Sequence, residues 1–242
     1  MIIRIGMENG IEGRSLAWAL DHPGCFANGK NASEALASLP RAVLAYKDWI
    51  EQHTAESWLK DLGNFDVRLV EAFECYTIDE NFEPVESGYE VNAWFRNDWK
   101  PLTRLEVRRG LLMLDWCRAD LLALVKPLSD TQLDADPRHD NWTIRHILAH
   151  VAGAEWWYLD RLDVAGIARK DLPEEYIPRL ETTRRLLEQR FKEWEGVTLA
   201  VGKVGEFWSP HKVMRRTLWH SRDHIDHIQQ LLAEMDDKPS SD

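Results

Sequence analysis

Ser209-Pro-His-Lys-Val-Met-Arg-Arg-Thr-Leu-Trp-His220-Ser-Arg-Asp-His224-Ile-Asp-His227-Ile-Gln-Gln-Leu-Leu-Ala-Glu-Met235 is the stretch on which the fold turns. Serine followed by proline opens a helix. The hydroxyl accepts an amide proton of the first turn, and proline at the first helical position lacks only an N–H that would have no partner there. Val213, Met214, Thr217, Leu218, Ile225, Ile228, Leu231 and Leu232 then recur every three or four residues, forming an apolar stripe along one side. A helix this long with one apolar side must lie against others. The tail from Asp236 to Asp242 reads as a polar end.

Working back from Ser209, the chain supplies three partner helices. Thr103-x-x-Glu106 is a capping box, opening a helix that ends before Pro127. Asn141 or Thr143 caps a second helix, which runs to about Leu162. Arg179 to Trp194 forms a third, stopped by Gly196. Four helices with long joints after the first and third describe a four-helix bundle over residues 101–242.

Before residue 101 the chain reads in short pieces. Met1 to Met7 and Ser15 to Leu20 are β-like, joined by the turn-prone Glu8-Asn9-Gly10 and Gly13. His22-Pro-Gly-Cys-Phe26 turns into another short strand. A helix follows, capped by Asn31 or Ser33, with Ala35, Leu36, Leu39, Val43, Leu44, Tyr46 and Ile50 at helical spacing and Pro40 as a kink or restart. Val67 to Tyr76 and Tyr89 to Phe95 read as strands. The expectation is therefore a multidomain chain: a small α+β domain over 1–76, an acidic linker or edge strand over 77–100, and an all-α bundle over 101–242.

Nine histidines are unevenly placed, seven of them between His139 and His227. In the last helix His220 and His224 are four apart and share one face, as two ligands of one metal must; His224 and His227, three apart, are the alternative pair. At 100° per residue His224 lies inside the apolar stripe, His220 borders it, and His227 falls one step nearer solvent, which favours His220 with His224. The second helix offers His146 and His150, and His150 flanks its apolar stripe while His146 turns away. Glu155 projects into the middle of that stripe. It would orient a ligand imidazole, bind a metal directly, or pair with an arginine such as Arg118 or Arg222. Any one of these histidines taken alone is more often a hydrogen-bonded core residue than a ligand. His139 reads as a solvated turn residue, and Trp156-Trp157 as either core or site wall.

Asn141-Trp-Thr-Ile-Arg-His-Ile-Leu-Ala-His150-Val-Ala-Gly-Ala-Glu155, followed later by Trp219-His220-Ser-Arg-Asp-His224, resembles the DinB/YfiT-like superfamily over roughly residues 101–235. The resemblance implies a four-helix bundle holding a divalent ion, zinc or nickel, through His150, His220 and His224, and a homodimer. Many members follow the last histidine with arginine-glycine-glutamine, where this chain has Ile225-Asp226-His227. His22-Pro-Gly-Cys-Phe-Ala-Asn-Gly-Lys-Asn-Ala-Ser-Glu-Ala35 is similar to the HicB-like antitoxin domain, over residues 1–76. A bundle stands where such antitoxins carry a DNA-binding domain, so this likeness carries no repressor function.

Two functions follow. The first is a divalent-metal-dependent enzyme acting on a small molecule, a hydrolase or thiol S-transferase. The second is a non-catalytic binding or regulatory module whose metal site is structural or sensory. No nucleophile motif, Gly-rich phosphate loop or spaced carboxylate pair adds a second catalytic signature, so no catalytic residue is assigned.

Composition bounds these readings. With 242 residues, 44% hydrophobic and 29% charged, the chain is globular rather than disordered. A formal net charge of −11 argues against nucleic acid or an anionic membrane as partner. Much of that charge is local: Asp66 to Asp98 carries nine acidic groups against Arg68 and Arg96. Cys25, Cys75 and Cys117 have no metal or redox spacing and suit a reducing compartment. With no secretory signal and no membrane-length apolar run, the expected location is cytoplasmic.

Overall fold

The computed structural model describes residues 1–59 and 62–236, so the polar tail beyond Asp236 lies outside the described residues. The chain divides into two units: Met1–Pro101 with Thr198–Arg215, and Leu102–Val197 with the last helix from Arg216 onward. Among the described residues no helix is long and apolar enough to cross a membrane.

The first unit is built on strands β1 (Ile2–Ile11), β2 (Arg14–Ala19) and β3 (Phe26–Gly29), helix α1 (Ala32–His53) and strand β4 (Asp66–Glu74). The sheet order is β3-β2-β1-β4, with β1 antiparallel to β2 and parallel to β4. A parallel return needs a crossover, which α1 provides. Asn31 caps α1 by accepting the Glu34 amide at 3.0 Å. Its buried side is Ala35, Leu39, Val43, Tyr46 and Ile50, while Leu44 is exposed. Pro40 lies on the exposed side, and the helix continues through it.

β1 runs four residues beyond the expected end at Met7. Gly10, at φ 84°, absorbs a register irregularity between Asn9 and Ile11, and the chain turns instead at Glu12-Gly13. On the side of β1 that carries Gly6, Phe95 packs so close that a Cβ at Gly6 would sit 2.8 Å from its ring.

The segment expected as one strand from Val67 to Tyr76 ends at Glu74, and a separate strand β5 (Tyr76–Ile78) pairs with β6 (Pro84–Val85) and β7 (Tyr89–Val91). After Val91 the chain leaves the sheet and enters a 3-10 turn at Arg96–Trp99. A hairpin of β8 (Val201–Lys203) and β9 (Glu206–Trp208) also belongs to this unit.

Buried charges lock the first unit. Lys212 is fully buried. Its Nζ donates to Glu206 Oε1 at 2.6 Å and to the Phe207 and Asn92 carbonyls, and lies 4.5 Å from the Trp208 ring centre. Arg215 donates to both Asp98 oxygens, at 2.7 and 3.3 Å, and to the Ala93 carbonyl. Burial alone would raise the Asp98 carboxyl. Arg215, His211 and the Phe95 amide instead hold it well below the ordinary carboxylate range.

The second unit is helical: α2 (Arg104–Val125), the single turn α3 (Asp130–Leu133), α4 (Ile144–Arg161), α5 (Tyr176–Glu193) and the greater part of α6 (Pro210–Asp236). Thr103 and Glu106 close the capping box of α2, and Thr143 caps α4. α5 begins three residues before the expected Arg179, with Pro178 in its first turn, where the missing N–H breaks no intrahelical bond. Leu121, Val125, Ile144, Ile147, Leu148, Val151, Leu180, Ile228 and Leu231 form its core. Cys117 is buried on α2, and burial pushes its thiol up to about 12, which keeps it protonated at neutral pH.

Candidate metal centre

The site begins in the loop before α4. Asp136 accepts the amides of Asp140 and Asn141, and Asp140 accepts the amide of Trp142 at 3.0 Å. His139 and Asn141 take left-handed backbone angles, φ 57° and 65°, which local polar side chains stabilise. His139 is an exposed turn residue, as its loop suggested. Thr143 then caps the helix through the His146 amide, which fixes where His150 emerges almost two turns later.

His150 from α4 meets His220 and His224 from α6. His220 Nε2 lies 2.9 Å from His150 Nε2 and 3.2 Å from His224 Nε2, and one ligand nitrogen from each residue falls within 4.8 Å of the others. His220 and His224 are each 8% exposed, although both are polar. His227 is half-buried and His146 is exposed, as the helical projection anticipated.

Trp142, immediately before the cap, walls this cluster. It stacks on His224 at 5.8 Å with an interplanar angle of 20°, stands edge-on to His150 at 5.1 Å, and also touches His146 and His227. The sequence offers Trp156 and Trp157 as a site wall and Trp142 only as part of the motif that carries the family resemblance. The position of Trp142 just before the cap, four and eight residues ahead of His146 and His150, was the available signal. Trp156 is instead tied to the Ile167 carbonyl. Tyr158 stands edge-on to His220 at 6.2 Å.

Glu155, one of the open questions of the sequence, is an arginine partner. It is 1% exposed and accepts from Arg118 at 3.0 and 3.1 Å, from Arg184 at 2.6 and 3.1 Å, and from Thr183 at 2.9 Å. Arg184 also donates to the Leu114 carbonyl and Arg118 to that of Leu180. Desolvation would raise the Glu155 carboxyl, and the two guanidinium groups outweigh it, so it stays ionised. With both oxygens engaged in this way, Glu155 is a tie between α2, α4 and α5. Arg118 was one of the two arginines named from sequence; Arg184 was not foreseen.

The chemistry of the cluster fits a cation. A neutral imidazole nitrogen carries either one proton or one lone pair. His220 Nε2 faces two other Nε2 atoms, and no assignment of protons gives three such nitrogens full hydrogen bonding among themselves. Three lone pairs directed at a common ion resolve the conflict. Around a tetrahedral zinc at 2.0–2.1 Å, ligand nitrogens stand about 3.3 Å apart, close to two of the observed edges. Burial, reinforced by the neighbouring histidines, holds His220 well below its ordinary range and lowers His150 as well, so both present the unprotonated form a metal requires.

Residues 113–228 match the family model described as the DinB superfamily, a span just under half of the chain that contains all three histidines. The match supports a DinB-like four-helix bundle there. Two solved structures are similar. One is described as YfiT from Bacillus subtilis, a probable metal-dependent hydrolase with an unusual four-helix bundle topology. It is 18% identical, with 56% of this chain and 90% of that one covered at a TM-score of 0.44. The other is described as TT2238, a four-helix bundle protein, 21% identical, covering 51% of this chain and 98% of that one at a TM-score of 0.41. No curated protein matches the chain.

Proposed function

We propose that His150, His220 and His224 hold a divalent ion, zinc or nickel, and that the protein is a metal-dependent enzyme acting on a small molecule, as a hydrolase or a thiol S-transferase. The observation that carries this reading is the convergence of three Nε2 atoms, two of the separations being 2.9 and 3.2 Å, in a largely buried setting. Three protein ligands leave coordination positions for water or substrate, whereas a structural zinc site takes four. Among the described residues the cluster is three histidines with no fourth cysteine, histidine or carboxylate.

When bound, such an ion supplies a Lewis acid that polarises a carbonyl or lowers the pKa of a water or thiol. The protein's own part is positional. α6 sets two ligands one turn apart, α4 sets the third, and Trp142 shields one flank from water. Glu155, through Arg118 and Arg184, holds the helix that carries His150. For residues 1–76 we propose a HicB-like domain. What supports this is the order β1-β2-β3-α1-β4, with Pro23-Gly24-Cys25 entering β3 and Asn31 capping the helix.

Elemental analysis of the purified protein beside its His150→Ala, His220→Ala and His224→Ala variants tests the site. One equivalent of divalent metal in the wild type, lost in each variant, is expected. A wild type free of metal after growth with zinc and nickel ends the enzyme reading. A fourth protein ligand, seen by X-ray absorption as four protein donors and no water, would turn it into the structural or sensory one.

A further inference from the structure

β4 is the edge of its sheet, with β1 on one side and, among the described residues, no strand on the other. It is nine residues long, Asp-Val-Arg-Leu-Val-Glu-Ala-Phe-Glu, and carries no proline and no lysine; its charged residues flank an apolar centre, Leu69-Val70, at which the register with β1 is irregular. Leu69 and Val70 are 48% and 40% exposed, and Ala72 is exposed as well. Such a strand offers a row of free backbone groups beside an apolar surface.

The backbone directions follow from the ladder. The amides of Asp66 and Cys75 donate to Met1 and Asn9 of β1. By alternation Val67 and Leu69, and past the irregularity Ala72 and Glu74, turn their N–H and C=O groups outward. The same register puts Arg68 beside Arg4 and Glu71 beside Gly6, on one face of the sheet, and Val67, Leu69 and Ala72 beside Ile3, Ile5 and Met7, on the other.

We infer that β4 pairs antiparallel with β4 of a second copy of this chain, joining two four-stranded sheets into one. The register is set by charge. Placing Arg68 opposite the partner's Glu71 repeats that pair through the two-fold axis, giving two opposite-charge pairs on one face. The same register sets Val67 opposite the partner's Ala72, and both turn their backbone groups outward, so the two flanks are hydrogen-bonded while Leu69, opposite the partner's Val70 at the irregularity, contributes its side chain. On the other face Val67, Leu69 and Ala72 of both copies form one apolar strip. Arg68 has no ion-pair partner in the described structure. Glu71 uses Oε2 to accept the Arg96 amide, which leaves Oε1 for the partner's Arg68. This inference is independent of the histidine cluster.

Sedimentation equilibrium of the full chain tests it, with circular dichroism confirming that each variant is folded. The wild type is expected at twice 28.2 kDa. Arg68→Glu and Leu69→Lys should each raise the dimer dissociation constant by about tenfold or more, and Arg68→Glu combined with Glu71→Arg should recover most of the loss. Hydrogen exchange should show the Val67 and Ala72 amides protected in the wild type and released in Arg68→Glu. A monomeric wild type overturns the inference. So does a dimer whose mass and β4 exchange are untouched by Arg68→Glu and Leu69→Lys, since its interface would then lie elsewhere.

Discussion

Arg184 reaches Glu155 with Nη2 2.6 Å from Oε1, and the two side chains are 7% and 2% exposed. Arg118 reaches the same carboxylate from the opposing helix at 3.0 Å. One carboxylate therefore bridges two buried guanidinium groups inside the bundle. Removing it leaves two desolvated cations facing each other, so Glu155→Gln should destabilise the second unit by about 3–5 kcal/mol. Urea unfolding should show a lower midpoint with little change in slope. Replacing all three residues with apolar ones of similar volume should recover most of the loss, because the desolvation cost disappears with the charges.

The histidine cluster makes a separate prediction, since no oxygen of Glu155 enters it. Stripping metal with a chelator should lower the thermal midpoint of the bundle by about 5–10 °C relative to protein holding metal at a hundredfold excess over its dissociation constant. Readdition of zinc or nickel should restore it. His146→Ala and His227→Ala should keep both the metal and the shift, whereas His150→Ala, His220→Ala and His224→Ala should lose both. Differential scanning calorimetry with parallel metal analysis reads this out. Loss of the shift in His146→Ala or His227→Ala would redraw the ligand set.

The ends of the bundle helices were legible because caps are local: Thr103, Thr143 and Ser209-Pro210 announce themselves within four residues. The i,i+4 spacing of His220 and His224, set against an apolar stripe, was legible for the same reason. What sequence could not reveal depends on pairing between distant segments. Arg184 meets Glu155 across 29 positions, and Lys212 meets Asn92 across 120. Trp142 reaches the histidines only because the Asp136 and Asp140 carboxylates fold its loop back. Residues 198–208 carry no strong strand pattern, and Val204-Gly205, both at positive φ, make their hairpin through turn chemistry alone.

Asp98 gives the first unit a defined acid response. Its folded pKa is depressed below the unfolded value of 3.8. Its contribution to stability is therefore complete above the unfolded pKa and is lost as pH falls below it towards the folded value. Asp98→Asn should cost several kcal/mol at pH 7, on the order of 3–5, because Arg215 is left buried and unpaired. Below pH 3 the gap between variant and wild type should narrow. Denaturant unfolding of both proteins at pH 7 and pH 3 measures it, and a gap that stays constant with pH would count against the Asp98–Arg215 pair as the cause.

Lys212 and Arg215 also decide whether the first unit can stand alone as residues 1–101. Asp98 is 1% exposed in the intact unit, and its cation comes from Arg215. Glu206 and Lys212, 2% and 0% exposed, arrive on the same distant segment together with Trp208. A chain ending at Pro101 would have to keep Asp98 buried without a counterion or abandon the turn that buries it. The first costs several kcal/mol, comparable to the whole stability of about 5–15 kcal/mol typical of a domain. Residues 1–101 expressed alone should therefore give a poorly dispersed amide spectrum and no cooperative unfolding transition. Appending Thr198–Arg215 after Pro101 through a glycine-serine linker should restore both, and Arg215→Met in that linked chain should remove them again. A cooperative transition in the 1–101 chain by itself would show that β1 to β4 and α1 hold without the buried ion pairs.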